Sequence, residues 1–246
     1  MNRDLACHLI HSQYQLNIAE NQEKLANAKV VIVGAGWPDY SSVKSKAPNA
    51  KILPSFNLHM IYNKGQSPLM LEFVEKLKKY VLKDENGNYV NNIDYPNANW
   101  EFYFSKELAK AHAKAIWMMI KDNPQVDGVY IDDCWGSVPP RYEGAYSSYY
   151  GEDVNWYRND FKEYREAFLR SLKYWMPNDK IIICNTAGAL AKGCSGISIE
   201  QNYPNIEAIQ SFEEEKGFWN ICWPRVNMIT MENNHTRVLE GVFLSN

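Results

Sequence analysis

No run of this sequence is apolar for the roughly 20 residues that a membrane-spanning helix needs; the apolar stretch around 30–36 is far shorter. The N-terminal Met1-Asn2-Arg3-Asp4-Leu5 lacks the apolar segment of a secretory signal. An excess of either charge is also missing: 26 Lys and Arg face 29 Asp and Glu, a formal net charge of -3. Such a balance projects no field toward a nucleic-acid backbone. The five cysteines are odd in number and form no CxxC pair, so neither a disulfide framework nor a zinc knuckle is expected. They read as reduced thiols of a protein that is cytoplasmic or virion-associated. A third glycine is absent after Gly34-Ala35-Gly36, where Trp37-Pro38-Asp39 follow instead. These bulky residues exclude a dinucleotide fingerprint.

Aromatics, by contrast, are plentiful. Eight Trp, 16 Tyr and 9 Phe make up 13% of the 246 residues, and many fall outside periodic segments. Rings outside a core are what sugar-binding clefts use, because the apolar face of a pyranose stacks on them. The chain is also long enough for one barrel-sized core.

Short apolar runs alternate with helical patterns along the whole chain. Strands are predicted at 5–10, 29–34, 51–57, 127–133, 180–185, 196–200, 226–231 and 242–244. Helices are predicted at 13–28, from Ser67-Pro68 to about 81, and at 105–121, 156–176, 206–216 and 234–239. Ser67 is the expected N-cap, with Pro68 at the first helical position. The stretch at about 84–104, opened by an Asn86-Gly87 turn signal, is an excursion suited to a hairpin. A long aromatic loop is expected at about 134–156. Repeated strand–helix alternation without a linker predicts one α/β domain over 1–246, a (β/α)8 TIM-type barrel that is irregular or lacks its last helix. A doubly wound open sheet is the rival.

Chemistry in such a fold sits where the strands end. The third predicted strand ends in Phe56-Asn57-Leu58-His59, the fourth in Ile131-Asp132-Asp133-Cys134-Trp135. The fifth ends in Cys184-Asn185-Thr186 and the sixth in Ile199-Glu200-Gln201-Asn202-Tyr203. Alternation puts Val129 and Ile131 on one face and Tyr130 and Asp132 on the other. By the same parity Glu200 lies opposite Ile197 and Ile199. Asp132 and Glu200 are therefore expected to face one cleft, with Asp133 leaning outward or sitting in the loop. One carboxylate as nucleophile or base and one protonated carboxyl as acid are what glycoside hydrolysis requires. Asp132, Glu200 and Asp133 are the candidate catalytic residues. Asn57, His59, Trp37, Trp135, Asn185, Gln201 and Tyr203 are the candidate substrate-binding residues, and an oligo- or polysaccharide is the expected partner.

The run Asp127-Gly128-Val129-Tyr130-Ile131-Asp132 resembles the fourth-strand signature of α/β-barrel glycoside hydrolases, namely the polygalactosaminidase-like families and the glycoside hydrolase-like family fifteen. Asn185-Thr186-Ala187-Gly188 and Glu200 are similar to the second of these groups. The resemblance implies a barrel in which Asp132 is the fourth-strand catalytic carboxylate and Glu200 its partner. A carboxylate pair on the fourth and sixth strands is also the arrangement of the α-galactosidase clan. Asp133 departs from the pattern, since a doubled aspartate leaves two candidates for one role.

No cofactor or metal is expected. A weaker alternative is a metal-dependent carbohydrate deacetylase using Asp132, Asp133 and His59; His8 and His11 have opposite parity and His112 falls mid-helix. Another is a non-catalytic carbohydrate-binding barrel, for example a phage or viral glycan-engaging module.

Overall fold

The computed structural model describes residues 6–10, 16–17, 19–37, 39–63, 67–135, 138–150, 154–185, 195–201, 219–224, 238–239 and 242–244, and in β1 and β8–β11 it describes the backbone alone. The strands are β1 (Ala6–Ile10), β2 (Ala28–Gly34), β3 (Lys51–Asn57), β4 (Met60–Tyr62), β5 (Asn99–Glu101), β6 (Gly128–Asp132), β7 (Ile181–Asn185), β8 (Gly196–Gln201), β9 (Trp219–Pro224), β10 (Val238–Leu239) and β11 (Val242–Leu244). The helices are α1 (Ala19–Asn27), α2 (Tyr40–Lys46), α3 (Pro68–Leu77), α4 (Lys106–Ile120), α5 (Pro140–Tyr146) and α6 (Val154–Trp175).

One nine-stranded sheet runs β10-β1-β2-β3-β6-β7-β8-β9-β11. Its seven inner strands are parallel, while β10 and β11 pair antiparallel with β1 and β9 at the two edges. Only residues 240–241 separate β10 from β11 in sequence.

β2, β3, β6 and β7 are apolar at most positions because both of their faces are covered. Val31, Val33, Ile52, Val129, Ile131 and Ile182 join the cluster that packs on the helices. Val30, Ile32, Leu53, Tyr130 and Ile183, on the other parity, are buried as well. Against the first face lie α4 and α6, through Leu108, Ile116, Phe161, Phe168 and Leu172. Ser67 caps α3 by accepting the Met70 N–H, with Pro68 at its start, and Ser105 caps α4 by accepting the Leu108 N–H.

The fourth-strand signature divides into two jobs at opposite ends of β6. At the start, the Asp127 carboxylate accepts the Ile52 N–H at 3.0 Å and the Lys51 ammonium at 2.8 Å, tying β3 to β6. Gly128 lies so close to β7 that an added Cβ would fall 2.0 Å from the Ile181 carbonyl oxygen. At the far end stands Asp132.

Several boundaries differ from the sequence expectation. Val238–Leu239 is strand rather than helix: it pairs with Cys7 and His8 of β1, and strand pairing outweighs the helical preference of so short a segment. A strand at Trp219–Pro224 was not anticipated, whereas the expected helix at 206–216 and strand at 226–231 lie outside the described residues. The aromatic loop contains a short helix, α5, and a single 3-10 turn at Ser147–Tyr150. Cys134 and Cys184 are buried and form no disulfide. Among the described residues no helix is long and apolar enough to cross a membrane.

Candidate active site

The C-terminal ends of β3, β6 and β7 carry Asn57, Asp132 and Asn185. Asn57 is the register partner of Asp132. Asn185 lies one step beyond Cys184, the partner of Ile131, so the three amide and carboxylate side chains share one face. The Asn185 amide donates to Asp132 Oδ1 at 2.8 Å. The same oxygen accepts the Asp133 backbone N–H at 2.9 Å. Asp132 is half-buried, and both of these donors are neutral.

Of the two placements expected for Asp133, leaning outward or sitting in the loop, the structure has the second: it lies in the turn after β6 with φ 52°, the one positive φ outside glycine among the described residues. This turn brings its carboxylate back to the site, where Oδ2 accepts from the Asn57 amide and from His59 Nε2 at 3.2 Å. Asn57 is itself fixed, since its Oδ1 accepts the His59 N–H at 3.0 Å and the Met60 N–H at 3.2 Å. Burial opposes the charge on Asp133, but the bond and charge of His59, then the Asn57 bond and the Arg141 charge, hold its carboxyl below the usual aspartate range.

His59 is fully buried, so it does not reach a ligand in the cleft. Its Nδ1 lies 3.2 Å from both oxygens of Glu101, which is fully buried too. The ring packs at 4.6 Å from Trp135 and edge-on at 4.8 Å from Tyr142. A neutral imidazole has one bare nitrogen, which would face a carboxylate lone pair; with acceptors on both sides, both nitrogens must donate. Burial disfavours the charged ring, yet Glu101 and Asp133 outweigh it and raise its pKa to about 10.

Glu101 comes from the excursion, and the sequence reading missed it. It accepts the Asn92 amide at 2.9 Å and the Tyr157 hydroxyl at 3.4 Å. Its signal was a lone carboxylate in the run Trp100-Glu101-Phe102-Tyr103-Phe104, since a charge among buried aromatics needs a partner. The aromatic loop turns out to clamp this excursion. Tyr146 accepts the Ile93 N–H and donates to the Asn91 carbonyl. Tyr150 likewise accepts the Phe104 N–H and donates to the Phe102 carbonyl. Tyr142 donates to Asp94, which also accepts from Arg141 at 2.6 Å. These rings are buried, so most of the loop's aromatics are core rather than sugar platforms.

The remaining candidates separate. Trp37 is buried in the core, its indole N–H donating to the Asp39 carbonyl, and offers no stacking face. Trp135 is partly buried under His59. Glu200 and Gln201 end β8, where Ser198 is the register partner of Asn185; their side chains, and Tyr203, lie outside the described residues. Tyr62, also unanticipated, is an exposed ring on β4, and its phenol is raised by its packing and then by the charge of Asp132.

Neither a protein-family model nor a curated protein sequence matches the chain. Solved structures do. The glycoside hydrolase domain of PelA from Pseudomonas aeruginosa superposes with a TM-score of 0.52 at 9% identity, over 89% of this chain and 94% of that one. A variant of the same domain gives 0.49 at 11% identity, over 79% and 66%. An α-galactosidase from Thermus thermophilus in complex with stachyose gives 0.45 at 12% identity, over 79% and 43%. This chain therefore spans less than half of the length of the α-galactosidase. The chain has a parallel α/β fold like that of glycoside hydrolases.

Proposed function

We propose that the protein is a glycoside hydrolase that cleaves an O-glycosidic bond in an oligo- or polysaccharide, with Asp132 and Glu200 as its two carboxylates. The observation that carries this reading is the convergence of Asn57, Asp132 and Asn185 on one face at the ends of adjacent parallel strands, with Asp132 half-buried and fixed by donors. Glu200 follows two residues after the register partner of Asn185, so it has the parity of Asp132 on a strand two places away. Strands spaced about 4.8 Å apart put those two backbones about 10 Å apart, a gap that a pair of inward carboxylates spans around a sugar.

In this reading Glu200 protonates the glycosidic oxygen as the bond to the anomeric carbon breaks. Asp132 attacks that carbon if the two carboxyls are close, or takes a proton from the attacking water if they are farther apart. Asp133 is not the nucleophile, because its oxygen is committed to Asn57 and His59. Tyr62 is the ring placed to stack on the sugar. The chain forms one domain over 1–246. The pairing of β10 and β11 with opposite outer strands supports closure of the sheet into a barrel by the 238–244 segment.

A panel of aryl glycosides and reducing-end-labelled oligosaccharides tests the proposal, with Asp132→Asn and Glu200→Gln compared by turnover and by calorimetric binding. Loss of turnover with binding retained supports it. Binding that is equal in all three proteins, without turnover in any, would make the protein a carbohydrate-binding barrel instead.

A further inference from the structure

We infer that the excursion builds a second sugar subsite beside the first: Tyr95 stacks on an uncharged pyranose one unit beyond the one that Tyr62 covers, so the substrate is a chain of sugar units rather than a single glycoside. The place of this subsite in turnover rests on the glycosidase reading; its capacity to bind a saccharide does not.

The ribbon of β4 and β5 leaves the mouth of the site where β3 ends. Its first residue, Met60, donates its N–H to Asn57 Oδ1 at 3.2 Å, and the Leu58 N–H donates to the Asp132 carbonyl at 3.0 Å. Met60 pairs with Glu101 and Tyr62 with Asn99, so these four side chains share one face. Glu101 contacts His59, which makes this the face turned toward the site. Along it, buried Met60 and Glu101 give way to Tyr62, which is 44% exposed and about 7 Å farther out on the strand.

Tyr95 reaches the same end of the ribbon from the preceding turn. The Ala98 and Asn99 N–H groups both donate to its carbonyl at 3.0 Å, while the Asn63 N–H donates to the Ala98 carbonyl at 2.8 Å. These bonds tie the tip of β4 to the turn and bring two exposed rings to one lip of the site, Tyr95 being 54% exposed. The Tyr62 phenol is raised first by its packing, then by the charge of Asp132 and by the Tyr95 phenol, which places it near both.

The turn is fixed before a ligand arrives. Asn92 Oδ1 accepts the Asp94 and Tyr95 N–H groups at 3.0 and 3.1 Å, and the Asn92 amide donates to Glu101 at 2.9 Å. Asp94 in turn accepts from Arg141 and Tyr142. A ring on so anchored a backbone gives up little freedom on binding. The carboxylates of the site repel an acidic sugar, and Arg141 at this lip is already paired with Asp94. An uncharged pyranose offers its apolar face to the rings without that cost.

The test is a glycan array of neutral and acidic saccharides, from mono- to hexasaccharides, read with the wild-type chain, Tyr95→Ala, Tyr95→Phe and Tyr174→Ala. It is run beside kcat/KM on aryl monoglycosides and labelled oligosaccharides. Wild type is expected to hold neutral oligosaccharides more tightly than the monosaccharides. Tyr95→Ala lowers that preference roughly threefold to tenfold, through KM where a sugar is turned over. Tyr95→Phe restores it, and Tyr174→Ala keeps it.

Binding that is independent of chain length, equal in wild type and Tyr95→Ala, or stronger for acidic saccharides overturns the proposal, as does retention of no saccharide at all. Where Tyr95→Ala does not fold, Tyr95→Leu, which keeps apolar bulk without a ring, supplies the same comparison. Turnover without length dependence overturns the subsite and leaves the glycosidase reading standing. Length-dependent binding that is lost in Tyr95→Ala, with no sugar turned over, ends that reading and leaves the subsite.

Discussion

Asp133 donates its backbone N–H to the carboxylate of its own predecessor, Asp132, at 2.9 Å. That bond exists because Asp133 adopts φ 52°, which folds the chain back at the end of β6. The same turn sends the Asp133 side chain to His59 and Asn57 and leaves Asp132 beside Asn185. One backbone conformation thus sends two identical side chains to different partners.

Replacing Asn185 by Ala removes a donor from Asp132 Oδ1 but no apolar packing of consequence. A charge-assisted bond of this kind contributes about 1.5–3 kcal/mol, so activity should fall roughly tenfold to a hundredfold. The loss should lie mainly in kcat, with the unfolding midpoint moving little. A change confined to KM would place Asn185 on the substrate rather than on Asp132.

Gly128→Ala should damage the fold instead of the site. Its Cβ would meet the Ile181 backbone at 2.0 Å, and a carbonyl oxygen in a central strand cannot move aside without parting β6 from β7. Destabilisation of at least about 3 kcal/mol is expected in urea unfolding. Unchanged stability would show that the two strands do not approach so closely.

Tyr150→Phe should cost about 1–3 kcal/mol, because it leaves the Phe104 N–H and Phe102 carbonyl without their partner in a buried setting. Tyr174→Phe, on an 81% exposed ring, is the control and should be neutral. Equal effects of the two would mean that the tyrosine clamp on the excursion is not formed.

Two buried histidines should tilt the pH dependence of stability in opposite directions. Burial holds His112 neutral, with its pKa lowered from 6.5 to about 3. The unfolded chain takes up that proton first, so this contribution is lost as pH falls from 6.5 toward 3. His59 is raised to about 10, and the folded chain holds its proton longer. Its contribution is complete below pH 6.5 and is lost as pH rises through 10. Urea midpoints measured against pH should therefore flatten on the acid side in His112→Gln, which can keep a bond to the Tyr164 hydroxyl, and on the alkaline side in His59→Gln. Parallel curves for all three proteins would contradict both assignments.

Much of the parallel sheet was legible because its strands are buried on both faces, and the residues at 29–34, 51–57 and 180–185 are apolar at almost every step. Asp132, Asn57 and Asn185 were legible for the same reason: a polar residue that follows such a strand on fixed parity has to emerge at its end. Glu101 was not, because the excursion holds it by tyrosines about 50 residues away, and no local period records that contact. His59 was seen, but its role was not, since burial between two carboxylates depends on that same insertion. Trp37 was misplaced because an aromatic after a strand has the same local pattern in a core as in a cleft. The positive φ of Asp133 has no signature, since aspartate adopts it only where neighbours reward it.

The central claim is that Asp132 and Glu200 form one catalytic pair, and the separation of their carboxyl groups in a crystal structure tests it most directly. The account predicts both side chains in the cleft with Asn185 on Asp132, at about 5–5.5 Å for a retaining or about 6.5–9.5 Å for an inverting hydrolase. A Glu200 carboxyl turned out of the cleft, or well beyond that range from Asp132, would contradict it.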